Sequence, residues 1–295
     1  MNKKCILLFI SLITIFSLLT GCSKKPCLEC APSDPASIEK RKEKETKWQE
    51  LNVQIIQAYK NGNLPVATKL GKDSLNFAKK EFGEESLKTA VSLNNLGELF
   101  RLNKKFSDAE WHYKKSLAIR EKYLGKEHPD VALTLNNLAS LYYAQGNLET
   151  AKGYYESALA ILEKNPQKDN RSLMAILANL AELSKKEGNL PGAETYYKKL
   201  LVIREKALGK NDLNYAKTLN DIAAVYFLQK KYPQAETSFK ETLAILEKLL
   251  GKNHPDLSVV LANIAEVYKQ TGRTSEAKPI EQRINLLKPK NNLTS

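Results

Sequence analysis

Residues that could carry out chemistry are sparse in this chain. Its 295 residues include three histidines, His112, His128 and His254. None belongs to a His-Glu-x-x-His zinc motif or to a serine–histidine–aspartate arrangement with supporting context, and no glycine loop has the spacing that holds phosphate. His128 and His254 each begin a His-Pro-Asp tripeptide, in which Asp130 and Asp256 are expected to cap the following helix. The sequence therefore predicts no catalytic residue, no metal site and no cofactor, and a chain that is not an enzyme.

The cysteines offer one further candidate for chemistry. Cys27 and Cys30 form a Cys-Leu-Glu-Cys segment between Pro26 and Pro32. A structural zinc site needs about four ligands, and neither a second cysteine pair nor a nearby histidine supplies the others. A thioredoxin-like pair belongs at a helix start in an α/β fold, whereas this pair lies in a proline-flanked segment. We expect a small local disulfide or two unpaired thiols in an oxidising compartment; a redox or intermolecular role is the alternative.

The N-terminus has the features of an export signal. Lys3 and Lys4 precede an apolar stretch over residues 6–19, which is shorter than the roughly 20 residues that a membrane-spanning helix needs. The stretch ends in Leu-Thr-Gly-Cys at residues 19–22, which resembles a bacterial lipobox. That resemblance implies that residues 1–21 are removed and that Cys22 carries diacylglycerol. An ordinary signal peptide with an incidental cysteine is the alternative.

Lipidation would determine where the protein works. Two or more acyl chains hold a protein stably on a bilayer without a transmembrane helix. Ser23 follows Cys22, and by resemblance to enteric bacteria a residue other than aspartate there favours the outer membrane, with the body facing the periplasm. Residues 22–50 are expected to be a lipid-anchored tether and a charged lead-in to the folded body.

From residue 51 the sequence repeats every 42 residues. One column holds Leu51, Leu93, Leu135, Leu177, Leu219 and Leu261, and another holds Ala67, Ala109, Ala151, Ala193, Ala235 and Ala277. Small residues recur at Gly97, Ala139, Ala181, Ala223 and Ala265, and aromatic residues at Tyr113, Tyr155, Tyr197 and Phe239. A fixed period of this length predicts an array of repeats rather than one globular domain.

Each repeat contains two helical patterns. In the first, Leu93, Leu96 and Phe100 lie on one helical face. A break follows near Asn103, and the capping-box pattern of residues 107–110 predicts the start of the second helix. Glycine ends that helix, as at Gly125. The sequence thus predicts helix pairs joined by short turns.

These motifs resemble the tetratricopeptide repeat. The 42-residue period, Leu-Asn-Asn-Leu-Ala at 135–139 and Leu-Gly-Lys-x-His-Pro-Asp at 124–130 and 250–256 are similar to its kinesin-light-chain subtype. The resemblance implies an all-α fold, an α-solenoid of about six stacked antiparallel helix pairs over 51–288, followed by a tail at 289–295. Repeats would start near 51, 93, 135, 177, 219 and 261. The junction at 164–171 and the last repeat depart from the pattern.

The resemblance also implies a binding groove along the first helices. In this family, the face beside the core lines the concave surface. An amide-rich column there holds Asn95, Asn137, Asn179, Asp221 and Asn263; Glu98 lies nearby, and the next turn holds Arg101, Tyr143, Lys185, Phe227 and Lys269. The column resembles an asparagine ladder that holds extended peptides, and the next turn would favour acidic and apolar ligand side chains. The alternative is that these amides only stabilise the stack.

The charge of the chain raises a second function. The formal net charge is +13, which could attract polyanions, but an exported, tethered protein is not expected to meet nucleic acid. We therefore predict a lipid-anchored envelope scaffold that binds peptide segments or proteins and helps to assemble an envelope complex. Electrostatic binding of an anionic envelope polymer or lipid surface is the alternative.

Overall fold

The computed structural model describes residues 34–164 and 170–287 of the chain. Within them lie twelve α-helices: α1 (Pro35–Lys60), α2 (Leu64–Phe82), α3 (Leu87–Leu102), α4 (Phe106–Leu124), α5 (Pro129–Ala144), α6 (Leu148–Glu163), α7 (Asn170–Lys186), α8 (Leu190–Leu208), α9 (Leu213–Leu228), α10 (Tyr232–Leu250), α11 (Leu257–Gln270) and α12 (Thr274–Leu287). The predicted all-α fold of helix pairs is confirmed. Cys22, Cys27 and Cys30 lie outside the described residues.

The helices belong to two compact units, one covering residues 1–172 and the other 173–295. In the first, α1 packs on α2, α3 on α4 and α5 on α6; in the second, α9 packs on α10 and α11 on α12. Successive pairs also touch, since α2 contacts α3, α4 contacts α5, α8 contacts α9 and α10 contacts α11. Each unit therefore buries its apolar faces through contacts between neighbouring helices, as expected of repeats.

The first helix begins well before residue 51. Pro35 occupies its first turn, where a missing N–H costs nothing, and the Asp34 side chain accepts a hydrogen bond from the Ala36 N–H at 3.2 Å. Trp48 is only 8% exposed, and its Nε1 donates to Ser92 Oγ at 2.8 Å. The charged segment that the sequence suggested as a lead-in thus forms the first half of α1, and it joins the core through Trp48.

Two details of the helix ends differ from the sequence predictions. The capping box at residues 107–110 does not start α4, which begins at Phe106 after Lys105 without a side-chain cap. Lys104 takes φ 59° in the preceding turn, and the helix starts two residues before the position that a cap at Ser107 would give it. At the His-Pro-Asp loop it is the His128 ring, through Nδ1, that accepts the Asp130 N–H at 3.1 Å. The histidine therefore acts as the cap in place of the expected carboxylate.

Close packing within a pair explains the small-residue column. A Cβ on Gly97 would lie 2.9 Å from two ring atoms of Tyr113 and 3.3 Å from the Ala109 carbonyl oxygen. Tyr113 itself is fully buried. Gly97 therefore lets α3 and α4 approach closely while the Tyr113 ring fills the space between them.

Candidate functional site

The predicted groove residues all lie on the first helices of their pairs. In the first unit, α3 carries Asn95, Glu98 and Arg101, and α5 carries Asn137 and Tyr143. In the second unit, α7 carries Asn179 and Lys185, α9 carries Asp221 and Phe227, and α11 carries Asn263 and Lys269. The structure therefore presents two sets of these side chains, one in each unit.

The asparagine column forms hydrogen bonds between neighbouring repeats. Asn95 Nδ2 donates to Asn52 Oδ1 at 3.2 Å, and Asn137 Nδ2 donates to Asn94 Oδ1 at 2.9 Å. Asn95 and Asn137 are 7% and 6% exposed. Satisfied amides in such buried positions stabilise the stack. Their role as a peptide ladder stays a prediction. A peptide ligand would have to bind the amide N–H and C=O groups that the hydrogen bonds between repeats do not use.

In the described part of the second unit, the asparagine–asparagine hydrogen bond between successive repeats forms at one pair of positions and is absent at another. Asn263 Nδ2 donates to Asn220 Oδ1 at 3.3 Å. Asp221 occupies the equivalent place one repeat earlier, but Ala178 stands where an asparagine would face it. Within the described ranges, the Asp221 carboxylate therefore has neither the stacking bond of its sister positions nor an ion pair.

A largely buried ion pair lies beside the column in the first unit. Arg101 donates from Nε and Nη2 to the two oxygens of Glu98 at 2.8 and 2.6 Å, and the Tyr113 hydroxyl donates to Glu98 Oε2 at 2.7 Å. Burial, reinforced by the Glu98 charge, raises the pKa of Tyr113 well above its usual range. Glu98 and Arg101 are thus parts of the polar interior of this repeat as well as of the predicted groove.

The two predicted groove lysines of the second unit, Lys185 and Lys269, also pair with glutamates. Lys185 donates from Nζ to Glu182 Oε1 at 2.9 Å, and the Tyr197 hydroxyl also donates to Glu182. Lys269 Nζ lies 2.5 Å from Glu281 Oε1. Together with Arg101, the cations that were expected to attract acidic ligand side chains therefore already have carboxylate partners. Glutamate three residues before Arg101 and Lys185 was the sequence signal for two of these pairs.

A small cavity opens on the first-helix face of the second unit. Its volume is about 230 Å³, and its lining residues are Lys185, Ala224, Phe227, Leu228, Phe239, Asn263 and Glu266. Three of them, Lys185, Phe227 and Asn263, belong to the predicted groove. The aromatic and leucine side chains make an apolar floor, while the lysine, amide and carboxylate supply polar groups at its margin. This cavity is a candidate for a ligand contact.

The Asp221 carboxyl on this face has a perturbed pKa. Burial, helped by the negative charge of Glu182, raises its carboxyl pKa from 3.8 to about 6, although Lys185, Lys217 and Arg204 act in the opposite direction. Burial disfavours the charged form of an acid that has no close partner. A cation brought next to Asp221 would remove this cost.

Over residues 34–164 and 170–287, no three histidine, cysteine, aspartate or glutamate side chains are grouped so that they could hold a metal ion. In that part of the chain, no helix is both long enough and apolar enough to span a bilayer.

The chain matches known proteins in sequence pattern and in fold. The profile of the tetratricopeptide repeat family matches residues 52–122, 108–164, 172–248 and 216–284, whereas no curated protein matches the sequence. BtubC (BKLC) from P. vanneervenii is 25% identical, with 80% of this chain and 90% of that chain covered and a TM-score of 0.63.

Two less similar structures share the fold. A putative kinesin light chain from Podosopora anserina is 20% identical, covering 69% of this chain and 97% of that one with a TM-score of 0.59. PilF from Pseudomonas aeruginosa is 17% identical, covering 84% and 94% with a TM-score of 0.59. Because the family profile spans both compact units and most of the described helices, the chain belongs to the tetratricopeptide repeat family.

Proposed function

We propose that this protein is a lipid-anchored scaffold of the bacterial envelope that binds peptide segments of other proteins on its first-helix faces. Tetratricopeptide repeats serve as scaffolds for protein–protein interaction. The observation that carries the proposal is the cavity in the second unit, where an apolar floor is bordered by Lys185, Asn263 and Glu266. The mixture of an apolar recess and a few polar groups is typical of a ligand-binding site.

The size of the cavity favours a peptide over a small metabolite. Pockets for drug-sized molecules enclose roughly 300–1,000 Å³, whereas this cavity encloses about 230 Å³. A space of that size takes one large apolar side chain. The rest of an extended segment would then lie along the first helices, within reach of side chains such as Asn179 and Lys269.

Position-specific photo-crosslinking tests this function. A photoreactive residue at Leu228, which lines the cavity and is 54% exposed, is expected to capture discrete proteins from a detergent-solubilised envelope extract. The control is the same residue at Val202 on α8, which is 52% exposed and does not line the cavity. The proposal is wrong if the two positions capture the same proteins, or if Leu228 captures none.

The anchor is a separate part of the proposal, and it rests on residues 19–22. Cys22→Ala is expected to block acylation and to leave unprocessed or mislocalised protein, because the diacylglycerol can attach only to that thiol. Membrane fractionation with labelled palmitate measures both the modification and the location. Cys27→Ala is the matched control and should stay labelled and membrane-bound. Normal maturation and fractionation of Cys22→Ala would exclude the lipobox interpretation.

A further inference from the structure

The charges around the second-unit cavity leave one carboxylate without a partner. Lys185 is held by Glu182, Lys269 is held by Glu281, and Glu266 accepts a hydrogen bond from Gln270 at 2.8 Å. Asp221 is half-buried, and in the described residues it makes no hydrogen bond or ion pair.

The charged side chains near Asp221 have other partners or are exposed to solvent. Glu182 and Lys185 on α7 pair with each other. Arg204 on α8 donates to the Asn214 carbonyl at 2.7 Å and also to Thr218. Lys217, one turn earlier on α9, is exposed to solvent. Among residues 173–287 of the second unit, no cation is therefore committed to Asp221, although several lie close enough to influence it.

Helix geometry places Asp221 next to the cavity. Asp221 precedes Ala224, Phe227 and Leu228 on α9 by three, six and seven residues. At 1.5 Å of rise per residue, these three lie about 4.5 to 10.5 Å further along the helix axis. An extended peptide advances about 3.3 Å per residue. A ligand side chain in the cavity therefore has neighbours one to three residues away that can reach Asp221.

We propose that the second unit binds an extended peptide segment in which an apolar side chain occupies the cavity and a lysine or arginine, one to three residues away, pairs with Asp221. This inference rests on the proposed function and specifies its ligand. The sequence predicted a ligand with acidic side chains, whereas this inference predicts a basic one. The reason is that Lys185 and Lys269 are already paired with carboxylates and Asp221 has no partner among the described residues. A guanidinium or ammonium group would supply both the charge and the hydrogen bonds that Asp221 lacks.

Selection from a random dodecapeptide library on the full chain tests the proposal. Enriched peptides are expected to combine lysine or arginine with an apolar residue one to three positions away. For such a peptide, Asp221→Asn should weaken binding on the order of tenfold or more, because it removes one member of a partly buried charge pair. Binding should also weaken as the pH falls from 7.5 to 5, since protonation neutralises the carboxylate. Asp256→Asn, at an exposed site of the same unit, is the control. It should change neither the affinity for the peptide nor the pH dependence of binding.

The outcomes separate the two proposals. Enriched peptides that depend on Phe227 but carry acidic or neutral residues would overturn the cationic preference and leave peptide binding intact. A lysine or arginine preference that survives Asp221→Asn would overturn it as well. If no peptide is enriched, or if enriched peptides bind Phe227→Ala and Asp221→Asn as well as the unaltered chain, the cavity is not a peptide site and both proposals fail.

Discussion

Glu98→Ala is expected to lower the free energy of unfolding of the first compact unit by about 3 kcal/mol. The substitution leaves the Arg101 guanidinium and the Tyr113 hydroxyl without their acceptor in a site where the Glu98 and Arg101 side chains are 13% and 17% exposed. Breaking a buried ion pair from one side costs about 3–5 kcal/mol, because the other charge stays desolvated. Burial opposes the charge on Arg101, yet Glu98 raises the pKa of that guanidinium above its ordinary value.

Tryptophan fluorescence is a suitable measurement for this variant. The two tryptophans of the chain, Trp48 and Trp111, both lie in the first unit, and Trp48 is buried against Ser92. Urea unfolding followed by their emission should show a lower midpoint for Glu98→Ala. Glu156→Ala, at an exposed position on α6, is the matched control and should stay within about 0.5 kcal/mol of the unaltered protein. Equal losses for both variants would contradict a buried polar cluster.

Asp221→Asn is expected to stabilise the second unit at neutral pH by about 1–3 kcal/mol. The folded carboxyl has a pKa of about 6 against an ordinary value of 3.8, so the folded state holds its proton more tightly than the unfolded state does. The resulting stabilisation is fully present below pH 3.8 and is lost as the pH rises through 6. Asparagine carries no charge to desolvate, so the variant should lack this loss.

The pH dependence makes the prediction for Asp221→Asn specific. Thermal unfolding followed by far-UV circular dichroism should show a higher midpoint than the unaltered chain at pH 7.5, a smaller gain near pH 5, and little difference near pH 4. The tryptophan signal of the first unit serves as an internal control and should not change with the substitution. A variant that is less stable at pH 7.5, or equally affected at every pH, would show that the charged Asp221 carboxylate does not destabilise the folded state.

The groove shows where prediction from the sequence stops. The amide column and the turn after it are aligned by the 42-residue period, so their shared helical face could be predicted from spacing alone. Asn94 and Asn137 lie in the Leu-Asn-Asn-Leu segments of two successive repeats. What the two amides do is decided by the 2.9 Å contact between them, 43 residues apart in the chain.

By itself, the sequence determined the repeat period, the helix pairs and the residues that share a face, because helix geometry converts spacing directly into direction. It did not determine that α1 reaches back to Pro35, that Glu98 and Glu182 hold the groove cations, or that Asp221 has no partner. These features depend on which side chains from different helices come within a few ångströms of each other. Desolvation and hydrogen bonding act at that distance, and only the packed tertiary structure sets it.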